Sequence, residues 1–241
     1  MNIAVIFAGG SGVRMGAGMP KQFLEINGKP IIIHTLDNFQ NCDDIDKIYI
    51  ACKKDYIEQL HKFTERFGIT KVCKIVEGGT SGQDSIYRAL SAAYEENDRD
   101  SIVLIHDGVR PFVSDEVIRK NIDSVKAHGS GITCTSFFET PILSRGGLEV
   151  EEMPLKKHMF TAQAPQSFYL GEIVDAHHEM REKNPDYTDI ADSCNLYNAL
   201  GKKVFIVEGN RGNIKVTTPE DFYTLRALLQ YRENEQILGL K

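Results

Sequence analysis

A chain of 241 residues, 41% hydrophobic and 26% charged, has the length and composition to bury a substantial globular core. Its formal charge of −6 gives no global attraction for nucleic acid or an anionic membrane surface, so an anion site has to be built from local charge. No run approaches the ~18 apolar residues of a membrane span, "MNIAVIFAGG" lacks the features of a signal peptide, and Cys42, Cys52, Cys73, Cys134 and Cys194 contain no CxxC pair, which points to reduced thiols in a cytosolic protein rather than a disulfide framework or a zinc site. The chain opens with "NIAVIF", an apolar run ended by Gly9-Gly10 that reads as a buried strand. "PIIIHTLDNFQ" sets Ile33, Leu36 and Phe39 on one helical face, and "DKIYIAC" returns to a short β-branched run. "DYIEQLHKFTERFG" spaces Ile57, Leu60, Phe63 and Phe67 for a helix and closes on Gly68 as its C-cap. "KVCKIVEGG" is strand-like, "DSIYRALSAAYEEN" helical, and "SIVLIHDGVRP" a third central strand running into a loop. "SDEVIRKNIDSVKAHG" starts at the cap Ser114 and ends at glycine, and "GITCTSF" is again a strand.

This alternation predicts an α/β fold with a mainly parallel sheet covered on both faces, in a single domain over residues 1–241. It lapses between Glu139 and Met159, where a turn at Arg145-Gly146-Gly147 separates two strand-like pieces and predicts a projecting hairpin. "KKVFIVEG" and "TPEDFYTLRALLQYREN" then resume strand and helix, the helix capped around Thr218 with Pro219 in its first turn.

"FAGGSGVRMGAGMPKQF", residues 7–23, leaves the first strand at the edge where open parallel sheets bind ligands. Gly9, Gly10 and Gly12 let backbone approach an anion, and Arg14 and Lys21 add full charges. The GxxxxGK[ST] spacing of a P-loop is absent, and Arg14 and Met15 stand where a dinucleotide fingerprint needs its later glycine. The second strand ends in "IACKKD", with lysines where a dinucleotide-dependent dehydrogenase needs an acidic residue. A glycine-rich turn with solvated cations is the plain alternative.

Three further stretches favour a phosphate site. "HDGVRPF" puts His106, Asp107 and Arg110 at the same edge, where Asp107 can hold Mg²⁺ or simply cap a turn. "GGTSGQDS" is a second glycine loop, or else a strand-to-helix turn capped by Asp84 or Ser85. "GNIKVTTPED" sets Lys215 beside a strand leading to a helix, where it is either a phosphate ligand or a surface lysine.

In this order, "FAGGSGVRMG…PKQF", "GG…DS", "HDGVRPF", "QAPQSF" and "NIKVTTPED" resemble the cytidylyltransferases that make CDP-activated polyol phosphates, over nearly the whole chain. The resemblance implies a Rossmann-like nucleotidyltransferase fold with a protruding β-arm at about 139–159, and a homodimer in which the arm helps complete the neighbour's site. It implies CTP and a polyol phosphate as substrates, with Mg²⁺ as cofactor. Carried over by position, Ala8, Gly9, Gly10, Gly12 and Met15 belong to the nucleotide loop, and Arg14 and Lys21 hold the triphosphate. Gly79, Asp84 and Ser85 contribute to the cytosine and ribose pocket, Asp107 is the metal ligand, and Lys215 sits over the reacting phosphates. Thr140 and Lys156 contact the acceptor, as does an acidic residue that either Asp189 or Asp192 can supply, with the count from Val207 favouring Asp192.

Two departures stand out: Gly82 occupies the place of an arginine the family usually has, and Lys156, with Lys157 beside it, replaces another. Lysine keeps the charge but not the two-pronged grip on phosphate. "PKQF", "HDGVRPF", "PQSF" and "VTTPED" are closer to the branch that uses D-ribitol 5-phosphate, whereas enzymes that use 2-C-methyl-D-erythritol 4-phosphate more often carry "HDAARP". The chemistry implied is in-line attack of the acceptor phosphate on the α-phosphorus of CTP, which leaves His106 no general-base role. A nucleotide-binding module without catalysis is the remaining alternative, with Gly82 and Lys156 in its favour.

Overall fold

A computed structural model describes residues 1–10 and 18–238, with side chains of the last helix described to Glu235. Strand β1 (Asn2–Ala8) carries apolar residues on both faces, so it has to lie in the middle of the sheet. Ile3 and Val5 pack toward one helical layer, Ala4 and Ile6 toward the other. Around it the sheet runs β5 (Val72–Glu77), β4 (Lys47–Cys52), β1, β6 (Ile102–Asp107), β8 (Phe160–Tyr169), β7 (Ser130–Ser136) and β9 (Ile206–Glu208). A short ribbon of β2 (Glu25–Ile26) and β3 (Lys29–Pro30) stands apart. Every pairing in the large sheet is parallel except those of β8, which runs antiparallel to β6 and β7. The predicted α/β architecture with a mainly parallel sheet is therefore the one found.

Helices α1 (Ile31–Gln40), α2 (Ile57–Arg66) and α4 (Asp115–His128) cover one face, with Leu36, Phe39, Leu60, Ile118 and Val125 buried beneath them. Helices α3 (Gly82–Tyr94), α5 (Leu170–Lys183) and α6 (Ser193–Ala199) cover the other. The last helix, α7 (Pro219–Leu238), starts at the expected proline, and the Asp221 carboxylate accepts from the backbone N–H of Thr217 and Thr218, each at 2.8 Å. Gly68 and Gly129 end α2 and α4 with φ of +68° and +87°, the left-handed geometry that favours glycine. Ser114 caps α4 as expected. Helix α3 differs: its cap is Ser81, whose Oγ accepts from the Asp84 N–H at 3.1 Å, which leaves the Asp84 and Ser85 side chains for other partners.

Strand β8 and helices α5 and α6 fill a stretch where the sequence had suggested only a motif. β8 occupies a central position although it contains Pro165, and the Ala164–Pro165 peptide is cis. The proline lies where the β7–β8 register shifts, between the pairs Ile132–Gln166 and Cys134–Ala162, so no ladder bond is asked of it. Pairing of β8 with β6 stops at Gln166, opposite Ile105. Beyond that point the two strands part, and His106 and Asp107 continue β6 without β8 beside them.

Between β7 and β8 the chain leaves the sheet. Residues 137–159 form an arm with one antiparallel bridge, Leu143 to Glu152, and an Arg145–Glu151 ion pair across its turn. Leu148 is fully exposed, and Ile142, Met153 and Leu155 are more than half exposed.

Candidate active site

The parting of β6 and β8 opens a cavity of about 200 Å³ at the carboxyl edge of the sheet. Phe7, Ile86 and Ile105 give it an apolar side, Gln83, Gln163, Gln166, Asp192 and Ser193 a polar one, and Asp107, Arg110 and Lys215 its charges.

Asp107 ends β6 and is almost wholly buried. Its Oδ2 accepts from Arg110 Nε at 2.8 Å, and its Oδ1 meets Lys215 Nζ at 2.5 Å. Burial pushes the carboxyl up, but the charges of Lys215 and Arg110 more than offset it and hold the group below the ordinary carboxylate range. Arg110 also donates from Nη1 to the Asn213 carbonyl, and Val216 N–H donates to Val109 O. These two bonds stitch the loop after β6 to residues 213–216 and so deliver Lys215 to the carboxylate. His106 lies beneath, fully buried, its Nε2 3.0 Å from Arg110 O and its ring edge-on to Phe39. Burial lowers its pKa to about 4, so it is neutral at physiological pH and packs rather than exchanges protons.

The two glycine loops meet at Ser85. Its Oγ accepts from the Gly79 N–H at 3.0 Å and donates to Ser81 O at 2.8 Å. A Cβ on Gly9 would sit 2.7 Å from the same oxygen, so the first loop approaches this closely only as glycine. Gln22 holds the first loop from outside, its buried amide donating to Ala8 O at 2.6 Å and Gly10 O at 3.2 Å. Lys21, on the same single turn, is buried beside it. Gly12, Arg14 and Met15 lie outside the described residues.

Asp84 faces cations. Arg181 of α5 donates to Oδ1 at 2.9 Å, Arg88 lies 3.3 Å from Oδ2, and the Thr80 N–H donates to Oδ2. Burial raises this carboxyl, and the bond from Arg181 with the charge of Arg88 brings it below its ordinary range. Arg181 stacks over Tyr87 at 4.5 Å.

Of the two acidic candidates for the acceptor, Asp192 lines the cavity and Asp189 is an exposed turn residue with φ of +61°. Asp192 caps α6 through Asn195 N–H at 2.7 Å and accepts from Gln166 Nε2 at 2.8 Å. Thr140 and Lys156 are on the arm and do not line the cavity; Lys156 donates to Phe138 O. Gln22, Gln83, Gln166, Arg181 and Ser193 went unassigned in the sequence. "PKQF" and "QAPQSF" drew attention to two of the glutamines, but nothing local marks a residue such as Arg181, 97 positions from its partner.

Among the described residues there is no cluster of three or more His, Cys, Asp or Glu side chains able to hold a metal unaided. Asp107 offers a single carboxylate, both oxygens of which keep a second lone-pair direction beyond their bonds to Arg110 and Lys215. That donor set fits a hard cation taking one carboxylate and its other ligands from phosphate oxygens and water, as Mg²⁺ does. Among the described residues no helix is long and apolar enough to cross a membrane.

Comparison with known proteins gives a consistent picture. The family model described as IspD: 2-C-methyl-D-erythritol 4-phosphate cytidylyltransferase matches residues 2–231. A ribitol-5-phosphate cytidylyltransferase of Streptococcus agalactiae serotype V is 47% identical over 241 residues, the full length of both chains. One from Vibrio parahaemolyticus serotype O3:K6 is 44% identical over 99% of this chain and 100% of its own. A 2-C-methyl-D-erythritol 4-phosphate cytidylyltransferase of Clostridium perfringens is 40% identical over 91% of this chain and 94% of its own. Among solved structures, the 4-diphosphocytidyl-2C-methyl-D-erythritol synthase of Anaerococcus prevotii superposes with a TM-score of 0.81 at 28% identity, covering 95% of this chain and 96% of its own.

Proposed function

This chain belongs to the IspD family of 2-C-methyl-D-erythritol 4-phosphate cytidylyltransferases, and we propose that it is a member whose acceptor is D-ribitol 5-phosphate. It joins the CMP portion of CTP to that acceptor and releases pyrophosphate, giving CDP-ribitol. The observation that carries the acceptor is the closer and fuller match to relatives named ribitol-5-phosphate cytidylyltransferase than to those named for methylerythritol phosphate.

Both reactants are anions, so the site has to offset their repulsion and align three atoms. An oxygen of the acceptor phosphate attacks the α-phosphorus of CTP; the new P–O bond forms as the bond to the β-phosphate breaks, and pyrophosphate leaves with that electron pair. Lys215 stabilises charge on the reacting phosphorus, and Lys21 and Arg14 hold the triphosphate. Arg110 keeps Asp107 ionised and in place. Asp107 would hold Mg²⁺ together with the substrate phosphates, where the ion supplies charge neutralisation. Ala8, Gly9 and Gly10, with Gly79, Asp84 and Ser85, form the nucleotide side, and Asp192 the acceptor side.

The working unit is a homodimer. The arm's exposed apolar side chains favour a cover, and Thr140 and Lys156 do not line the cavity of their own chain. The cytoplasm suits five free thiols.

The test is pyrophosphate release with CTP, Mg²⁺ and a panel of polyol phosphates. Fastest turnover of ribitol 5-phosphate supports the reading. Fastest turnover of methylerythritol 4-phosphate overturns the acceptor, and no turnover with any of them favours a module that binds nucleotide without catalysis.

A further inference from the structure

Three side chains on the walls of the cavity keep a buried oxygen with no hydrogen-bond partner: Gln83 Oε1, Gln163 Oε1 and Ser193 Oγ. Gln83 is 3% exposed and Ser193 1% exposed. A buried acceptor left unsatisfied is destabilising, and folded proteins leave few of them. Three around one cavity therefore call for a common cause. The Gln163 amide is already tied through Nε2 to Asn210 O at 3.3 Å. Gln83 and Ser193 open α3 and α6, the helices that wall the cavity on its polar side.

What satisfies them has to carry hydrogen-bond donors. A phosphate has none to give, and the carboxylates of Asp107 and Asp192 in the same walls repel it unless cations intervene. A hydroxyl donates to an amide oxygen, a serine oxygen or a carboxylate, and accepts from the amide nitrogen when the group turns. The cavity thus suits a neutral chain of hydroxyls whose phosphate lies toward Lys215 and Arg110.

We propose that Gln83 and Ser193 are specificity-determining residues that read the hydroxyls of the acceptor's carbon chain. The inference rests on the polyol-phosphate reading given above and deepens it. Ribitol 5-phosphate presents four free hydroxyls on an unbranched chain; methylerythritol 4-phosphate presents three and a methyl branch. A site built around hydroxyl partners loses most with the acceptor that lacks one.

The experiment uses the full chain with Gln83→Leu and Ser193→Ala. Steady-state constants are measured for CTP and for each of the two acceptors, alongside thermal melts without ligand. Gln83→Leu is expected to lower kcat/KM for ribitol 5-phosphate about tenfold and to narrow its advantage over methylerythritol 4-phosphate. The KM for CTP stays within about twofold of wild type. Because leucine replaces an amide with no protein partner, the ligand-free melting temperature holds or rises. Ser193→Ala is expected to shift the same ratio by about threefold to tenfold.

An unchanged acceptor ratio in both variants overturns the proposal, as does an effect confined to the KM for CTP, which would assign Gln83 to the nucleotide. A large fall in the ligand-free melting temperature of Gln83→Leu also counts against it, since the amide would then have a protein partner. If the wild-type enzyme prefers another polyol phosphate, the acceptor assignment falls, and Gln83 is judged by its effect on that acceptor.

Discussion

At Asp107 two cations grip one carboxylate, and their exposures assign them different work. The Arg110 side chain is 12% exposed and bound to both Asp107 and the Asn213 carbonyl; Lys215 is 40% exposed and bound to Asp107. Arg110→Ala leaves Lys215 on the carboxylate but removes a buried charge-assisted bond and the tie to the Asn213 carbonyl, so it is expected to destabilise the protein by about 1.5–3 kcal/mol, read as a lowered denaturant midpoint. Lys215→Ala leaves Arg110 on the carboxylate and loses a half-solvated contact, so its melt should move little. Its turnover should nevertheless fall by about 10²-fold or more if, as proposed, its cation offsets charge developing in the transition state. Paired melts and pyrophosphate-release rates decide this, and near-normal turnover of Lys215→Ala removes that residue from the mechanism.

At the level of elements, the two glycine loops behave as one device with Ser85 between them. A Cβ on Gly9 would meet Ser85 Oγ at 2.7 Å but Ser85 Cβ at only 3.5 Å, an ordinary contact. Gly9→Ala should raise the KM for CTP severalfold in the wild-type background and add little in Ser85→Ala, so the pair is non-additive in a double-mutant cycle. Equal effects of Gly9→Ala in both backgrounds would mean that the loops do not touch through this hydroxyl. Much of this edge was legible in the sequence, because short apolar runs ending in glycine mark where parallel strands deliver their loops. Strand β8 was not legible: "FTAQAPQSFY" has a proline in its middle and little β-branched character, and only its position at a register shift lets it stay central. Nor was the partnership of Asp84 with Arg181, since helix packing rather than spacing brings α3 against α5. The sequence offered Asp84 or Ser85 as the cap of α3; Ser81 takes that role, which frees the later two for the loop.

Across the whole molecule, the packing of α3 on α5 also contributes to how stability responds to acid. His177 of α5 is fully buried, its Nδ1 2.8 Å from the Tyr187 hydroxyl and its ring between Tyr87 and Tyr187 at 5.7 and 5.6 Å. Its Nε2 has no partner. Burial lowers its pKa to about 3, the neighbouring Arg181 and His178 act in the same direction, and Asp84 opposes them. In the unfolded chain the same group takes a proton near pH 6.5. The folded-state value is thus depressed. Between about pH 6.5 and pH 3 the unfolded chain binds one more proton at this site than the native protein does, so stability is whole above that window and declines as pH falls through it. The slope is about 1.4 kcal/mol per pH unit, or roughly 2 kcal/mol between pH 6.5 and pH 5. Urea midpoints measured from pH 7.5 to pH 5 should show this decline, and His177→Gln, which keeps a polar group for Tyr187 but does not titrate, should flatten it by about one proton's worth. A variant with the wild-type slope would mean that the imidazole is charged inside the fold. The α3–α5 contact, which also carries the Arg181 grip on Asp84, would then have to accommodate two cations side by side.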